Sequence, residues 1–507
     1  MYGNHIFMID KYYESERFQN IRRTYENMKD GNTGCHLDSE ELIDIAEYYY
    51  NLGLQDEALN AANLAFEIYP YSTAPLSFLA RYAILVERNR EKAEAFANQI
   101  LDKHDIEYIY TKAEIMVADN QAENADKYLC EYMEYMHYDI ESDNVQDFIL
   151  DVACIFIDYN QYDICEKWLK KSTLTDSETY LELYGKLCNG RGEYEDSERY
   201  FQKLVDNYPY NYEYWNLLAS IQFIRNRINE SITSSEYAIA INPNDEEAIA
   251  NKANSLYALG NYDEALKYYK QYTIMTPLNE LGEMFQGITL ASEDRYEEAI
   301  IHLNKALDIA MQNFYDSNGR IEVAESGDPE IRRNLAKIYK EIIAAYHNMH
   351  KYQEALNYVD KLEAVGNDSV EANLIRGRIM LAGAERNKAQ EYFVTALRKT
   401  DDFPRTVLLV ATSLYDYGYI STAYNILHYL LNNADLDWTD GFAYLASCCF
   451  ILGKEDEFNR AVLIASKVNP SEAYEVLADI YPEDTPPEKY PFTKPVKPFM
   501  QEKENIE

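Results

Sequence analysis

Few residues in this chain have the type and spacing for chemistry. His347 and His350 stand three apart near the end of an apolar-periodic stretch, a spacing that can bring two imidazoles to one metal ion. No third ligand completes a recognisable zinc motif around them. Seven cysteines, at 35, 130, 154, 165, 188, 448 and 449, form an odd set without CxxC pairs. Cys165 and Cys188 fall at helix-packing positions, so the set reads as small core residues in a reducing compartment. No nucleophile elbow, phosphate loop or HExxH sequence occurs. The expectation is a protein that is not an enzyme and holds neither cofactor nor metal.

Charge narrows the partners. Lys and Arg number 47 against 87 Asp and Glu, a formal net charge of −40, so nucleic-acid phosphate is excluded as a ligand and a charged partner should be basic. From Asp105 to Asp151 thirteen acidic residues face only Lys112 and Lys127, interleaved with aromatics and methionines in YLCEYMEYMHYD. Glu131, Glu134 and Asp139 on that acidic arm would meet a basic amphipathic helix or tail, or else form a solvated face backed by core tyrosines. Arg332, Arg333, Lys337 and Lys340 make one local basic face, which reads either as a surface salt-bridge network or as a dock for the acidic arm of a second copy. The opening MYGNHIFMIDKYYESERF lacks a signal-length apolar run, and no later run reaches the roughly 20 residues that span a bilayer. A cytoplasmic, non-membrane protein is expected.

The elements that carry these residues repeat. Between Glu178 and Pro277 the same pattern recurs every 34 residues: Pro209, Pro243 and Pro277 keep the step, and so do Gly192, Asn226 and Gly260. The clearest copy, EAIANKANSLYALGNYDEALKYYKQYTIMTP, has small Ala253 and Ala265 at two fixed positions, with Leu256, Tyr262 and Tyr269 around them. The preceding copy has Trp215, Leu218, Ala219, Ala238 and Pro243 in equivalent places. Each copy holds two helical apolar patterns separated by a break, which predicts an antiparallel helix pair whose closest crossing needs small residues. One pair cannot bury its own apolar face, but stacked neighbours can.

This period, with its two small positions and closing proline, resembles the tetratricopeptide repeat. Twelve copies can be placed. The resemblance implies an all-α, right-handed superhelical solenoid of antiparallel helix pairs. Residues 1–38 are expected to form a capping helix and linker, and 39–310 an N-terminal repeat array. An insertion loop and helix start follow over 311–335, then further repeats and a capping helix over 336–481. The proline-rich tail, 482–507, should be extended or disordered.

In that family, ligands commonly lie on the concave surface made by the first helix of each pair. Carried over to the regular copies, this implies a partner-binding surface of Lys186, Asn189, Asn216, Phe223, Asn251, Asn254 and Tyr257. Asparagine amides suit an extended backbone, because each both donates and accepts, and the two aromatics supply apolar contact. The Lys and Asn constellation with which some members grip a chaperone's terminal carboxylate is absent, since Glu182, Leu217 and Glu247 stand where amide or basic residues would help. The expected function is a non-catalytic protein-interaction scaffold holding a peptide or partner protein. The rival readings are a structural, self-associating protein and an acidic-surface binder of a basic partner.

Overall fold

Gly192, Asn226 and Gly260, the residues that keep the repeat's break, adopt φ of 77°, 59° and 75°. This left-handed conformation reverses the chain at a helix end; glycine enters it freely, and asparagine is among the side chains that tolerate it. The reversal closes with backbone bonds, Gly192 N to Asn189 O at 3.0 Å and Glu193 N to Cys188 O at 2.8 Å. Helix starts are equally local. Asp38 accepts from the Glu41 amide at 2.8 Å while the Glu41 carboxylate accepts from Asp38 N at 3.0 Å, a capping box ahead of Ser39–Asn51.

The computed structural model describes residues 12–13, 15–29, 36–135, 143–314, 329–366, 368–433, 435 and 437–496. Among the described residues there are twenty-six α-helices, two short 3-10 helices and no strand. After the helix Glu16–Lys29, whose Phe18, Ile21 and Tyr25 are buried, the helices follow one another as twelve successive pairs from Ser39 to Val468. The fold is an all-α array of antiparallel helix pairs. It divides into two units, Met1–Asn261 and Tyr262–Glu507.

In the first unit the packing logic is plain in two successive pairs. Helix Glu178–Gly190 lies against Tyr194–Asn207, and a Cβ added at Gly185 would come within 2.7 Å of the Phe201 ring. The buried Ser197 hydroxyl donates to the Gly185 carbonyl at 2.8 Å. One repeat later, between Tyr212–Ile224 and Ile228–Ile241, Ser231 donates to the Ala219 carbonyl at 2.7 Å. A small residue facing a hydroxyl lets the two axes approach while satisfying the polar atom that the approach buries. First helices of neighbouring pairs also meet directly, as Tyr212–Ile224 does with Glu246–Ala258.

In the second unit a small residue again sits at the crossing of Glu280–Ser292 and Tyr296–Phe314, where a Cβ on Gly287 would meet Leu303 at 2.6 Å. Helix Tyr296–Phe314 is lengthened to 19 residues and the next first helix begins at Pro329, so the core of the expected insertion, 315–328, lies outside the described residues.

The chain after Pro482 departs from the expected extended tail. Pro487–Phe492 forms a 3-10 helix whose Tyr490 is 1% exposed and stacks on Tyr481, ring centroids 4.2 Å apart. Val496 N then donates to Ile480 O at 2.8 Å. Prolines rule out a long helix but not the burial of an aromatic, and Tyr490 closes the last apolar cluster with Phe458, Leu477 and Ile480. Residues 497–507 lie outside the described part.

Candidate functional site

Helices Glu178–Gly190, Tyr212–Ile224 and Glu246–Ala258 carry the seven expected partner-binding residues, and polar side chains tie these helices to one another. The Tyr214 hydroxyl contacts the Glu178 carboxylate at 2.9 Å and that of Glu182 at 3.3 Å. Asn216 Nδ2 donates to Asp245 Oδ2 at 2.6 Å. Ser220 donates to Asn251 Oδ1 at 3.4 Å, and Asn251 Nδ2 reaches the Asn216 carbonyl at 3.5 Å. The spacing of these bonds follows the repeat, because each links a residue to one about 30 positions further on.

The seven residues are not equivalent. Asn216 is buried, and its amide is held within the fold. Asn189, Asn251, Asn254 and Tyr257 are half-buried, while Phe223 is exposed at 37%. Lys186 is half-buried and bound to Glu182 at 2.5 Å. Burial pulls its ammonium down, but the Glu182 carboxylate, helped by Asp158, outweighs this and holds it above the usual lysine range. Asp158 remains accessible at the end of helix Asp143–Asp158, yet desolvation by the surrounding chain pushes its carboxyl up against the opposing pull of Lys186. Lys186 is therefore already the counter-ion of this acidic neighbourhood.

Three contributors to the face went unnoticed in the sequence. Ser220 lies 34 residues from both Lys186 and Asn254, so the repeat step alone marks it. Asp245 is legible as a helix cap, since it accepts from Ala248 N at 2.9 Å. Tyr214 has no such signal, because its role depends on which carboxylates the preceding first helix presents.

The acidic arm is carried elsewhere. Glu131 and Glu134 are exposed on Ala122–Tyr135, the second helix of its pair, with Glu131 3.7 Å from Lys127. Asp139 lies outside the described residues. Parts of the basic face are engaged within their own unit: Lys340 pairs with Glu371 at 2.6 Å, and the Lys337 ammonium sits 5.1 Å from the centre of the Phe285 ring. His347 and His350 are not drawn to one point. His347 Nε2 lies 2.7 Å from the Tyr417 hydroxyl, and His350 Nδ1 lies 3.0 Å from that of Tyr352. Among the described residues no group of three or more His, Cys, Asp or Glu is arranged to hold a metal. Cys165, Cys448 and Cys449 are buried, and burial pushes each thiol up to about 12. None of the described helices is long and apolar enough to cross a membrane.

Paired helices, small crossing residues and a polar face shared by successive first helices define a repeat-built scaffold for protein interaction. The tetratricopeptide repeat family profile matches residues 190–246 and 251–314, so the regular central part of the chain is built of tetratricopeptide repeats. Comparison with curated proteins returns no match. Among solved structures, a tetratricopeptide repeat protein from Parabacteroides merdae is similar at 14% identity, over 50% of this chain and 93% of that one, with a TM-score of 0.38. The Cut9–Hcn1 hetero-tetramer of APC/C matches at 13% identity over 83% of this chain and 76% of that one, TM-score 0.36. YrrB, described as a tetratricopeptide repeat protein with an unusual peptide-binding site, matches at 20% identity over 36% of this chain and 91% of its own, TM-score 0.30.

Proposed function

We propose that this protein is a non-catalytic scaffold that holds an extended segment of a partner protein against the first helices of the regular repeats, at Lys186, Asn189, Asn216, Phe223, Asn251, Asn254 and Tyr257. The observation that supports this reading best is the continuity of the face. Three consecutive first helices are joined by Tyr214, Asn216, Ser220 and Asn251, with Phe223 left exposed beside them. A polar surface whose parts are already held in place loses little freedom when a ligand arrives. Half-buried amides can exchange long, weak contacts such as the 3.4 Å and 3.5 Å bonds of Asn251 for bonds to a peptide backbone.

The test is calorimetric titration of the partner segment captured from native lysate. Asn251→Ala with Asn254→Ala should weaken binding about fivefold to a hundredfold, because two neutral hydrogen bonds are worth about 0.5–1.5 kcal/mol each. Far-UV circular dichroism should be unchanged. Neutralising Glu131 and Glu134 should leave affinity within about twofold. The reverse pattern would move the site to the acidic arm.

A further inference from the structure

Asn216 contains an unmet acceptor. Its side chain is 1% exposed; Nδ2 donates to Asp245 Oδ2 at 2.6 Å, while Oδ1 is buried without a hydrogen-bond partner. Flipping the amide would set oxygen against carboxylate, so the Asp245 contact fixes which way it points. The bare oxygen is thus held within one amide's width of Asp245. Oδ2 of Asp245 is already shared with the Ala248 amide it caps. Two residues on, Glu247 is exposed at the first turn of the same helix. Desolvation by the surrounding chain, followed by the charges of Asp245 and Glu246, pushes its carboxyl up. The three groups all accept, and a buried acceptor without a donor is costly and rare in a folded protein.

We propose that Asn216, Asp245 and Glu247 form a seat for one arginine side chain of the bound segment, with Asn216 as its floor. The inference rests on the scaffold reading above and adds the chemistry of the partner. A guanidinium suits the seat because its planar fork carries five donors and stays charged, so one group can serve an amide oxygen and two carboxylates together. A lysine ammonium offers three donors from one point. The net charge of −40 draws basic segments from a distance, but it does not select a place to bind.

The probe is an acetylated, amidated decapeptide with one central arginine in a glycine–serine–phenylalanine background, beside its citrulline twin, titrated into the full chain at moderate salt. The arginine peptide should bind about tenfold more tightly than the citrulline one. Glu247→Gln should reduce that preference to below about threefold, and Asn216→Leu should reduce it as well, while Glu131→Gln, with the same change in net charge, leaves it intact. Equal loss in Glu247→Gln and Glu131→Gln would mean long-range attraction alone and would overturn the seat. So would a preference untouched by Glu247→Gln, or no measurable binding of the arginine peptide. If both peptides bind equally and both weaken in the Asn251→Ala, Asn254→Ala variant, the scaffold reading survives and the seat does not. If the preference disappears in Glu247→Gln while the asparagine variant is silent, the seat survives and the asparagine face falls.

Discussion

At the scale of single residues, the fold depends on side chains that are small where helices cross. Ala265 has no accessible surface, whereas Lys267, two positions on, is exposed and pairs with Glu264. Arginine at 265 must either force its neighbours apart or bury an unpaired charge, so Ala265→Arg should cost at least about 3 kcal/mol. Lys267→Ala should stay within about 0.5 kcal/mol. Denaturant unfolding of the two variants checks this, and equal midpoints would show that the register of the repeat is misassigned. This register was legible in the sequence because it rests on residue types at fixed steps. Position 185 is glycine, 219 and 253 are alanine, and the structure shows at Gly185 why nothing larger fits. What could not be read is how the polar positions divide their bonds. Asn216 and Asn251 look alike in sequence, yet one is buried against a helix cap and the other keeps two long contacts. That difference arises from the neighbouring helix and not from either residue's own surroundings in the chain.

At the scale of elements, the informative case is the C-terminal segment. Its prolines argue against regular structure, and the 3-10 helix Pro487–Phe492 is too short to have a periodicity of its own, so no pattern in the sequence announced it. Its anchor is a single aromatic. Tyr490 is almost fully buried, stacked against Tyr481 and packed with Phe458 and Leu477, which belong to the last helices of the array. The end of a repeat array needs such cover, because its final apolar face has no next repeat to meet. Removing residues 486–507 should therefore lower the melting temperature of the C-terminal repeats. Tyr490→Ala alone should cost about 3 kcal/mol there, at the low end for deleting a buried aromatic. Hydrogen exchange that reports protection across 442–477 is the measurement. Unchanged protection in both variants would mean that the segment lies on the surface without contributing to it.

At the scale of the whole molecule, charge and burial together set a pH dependence. Desolvation raises the carboxyls of Asp44, Glu107, Asp158 and Glu247 in the first unit and of Glu341, Asp416 and Glu472 in the second. An acid whose folded pKa exceeds its unfolded value binds more protons in the folded state, so stability falls as pH rises through the folded pKa and recovers on acidification. His347 acts in the opposite sense. Burial lowers its imidazole, with Arg378 and His350 nearby, so its contribution is present above the ordinary histidine value and is lost as pH falls from there through the lowered folded value. Hydrogen bonds from Lys170 to Glu166, from the backbone to Glu230, from Arg295 to Glu298 and from Tyr424 to Glu457 lower these four carboxyls, and their contribution is lost only below the ordinary carboxylate range. Seven raised carboxyls thus oppose one lowered histidine, and protonation also relieves the self-repulsion of a chain at −40. The melting temperature should accordingly rise from pH 7.5 to about 5.5. Added salt should raise it at pH 7.5 more than at 5.5, because screening and protonation relieve the same repulsion. Scanning calorimetry at both pH values and two ionic strengths decides it. A melting temperature that falls on acidification would mean that His347 and the ion-paired carboxyls outweigh the desolvated ones.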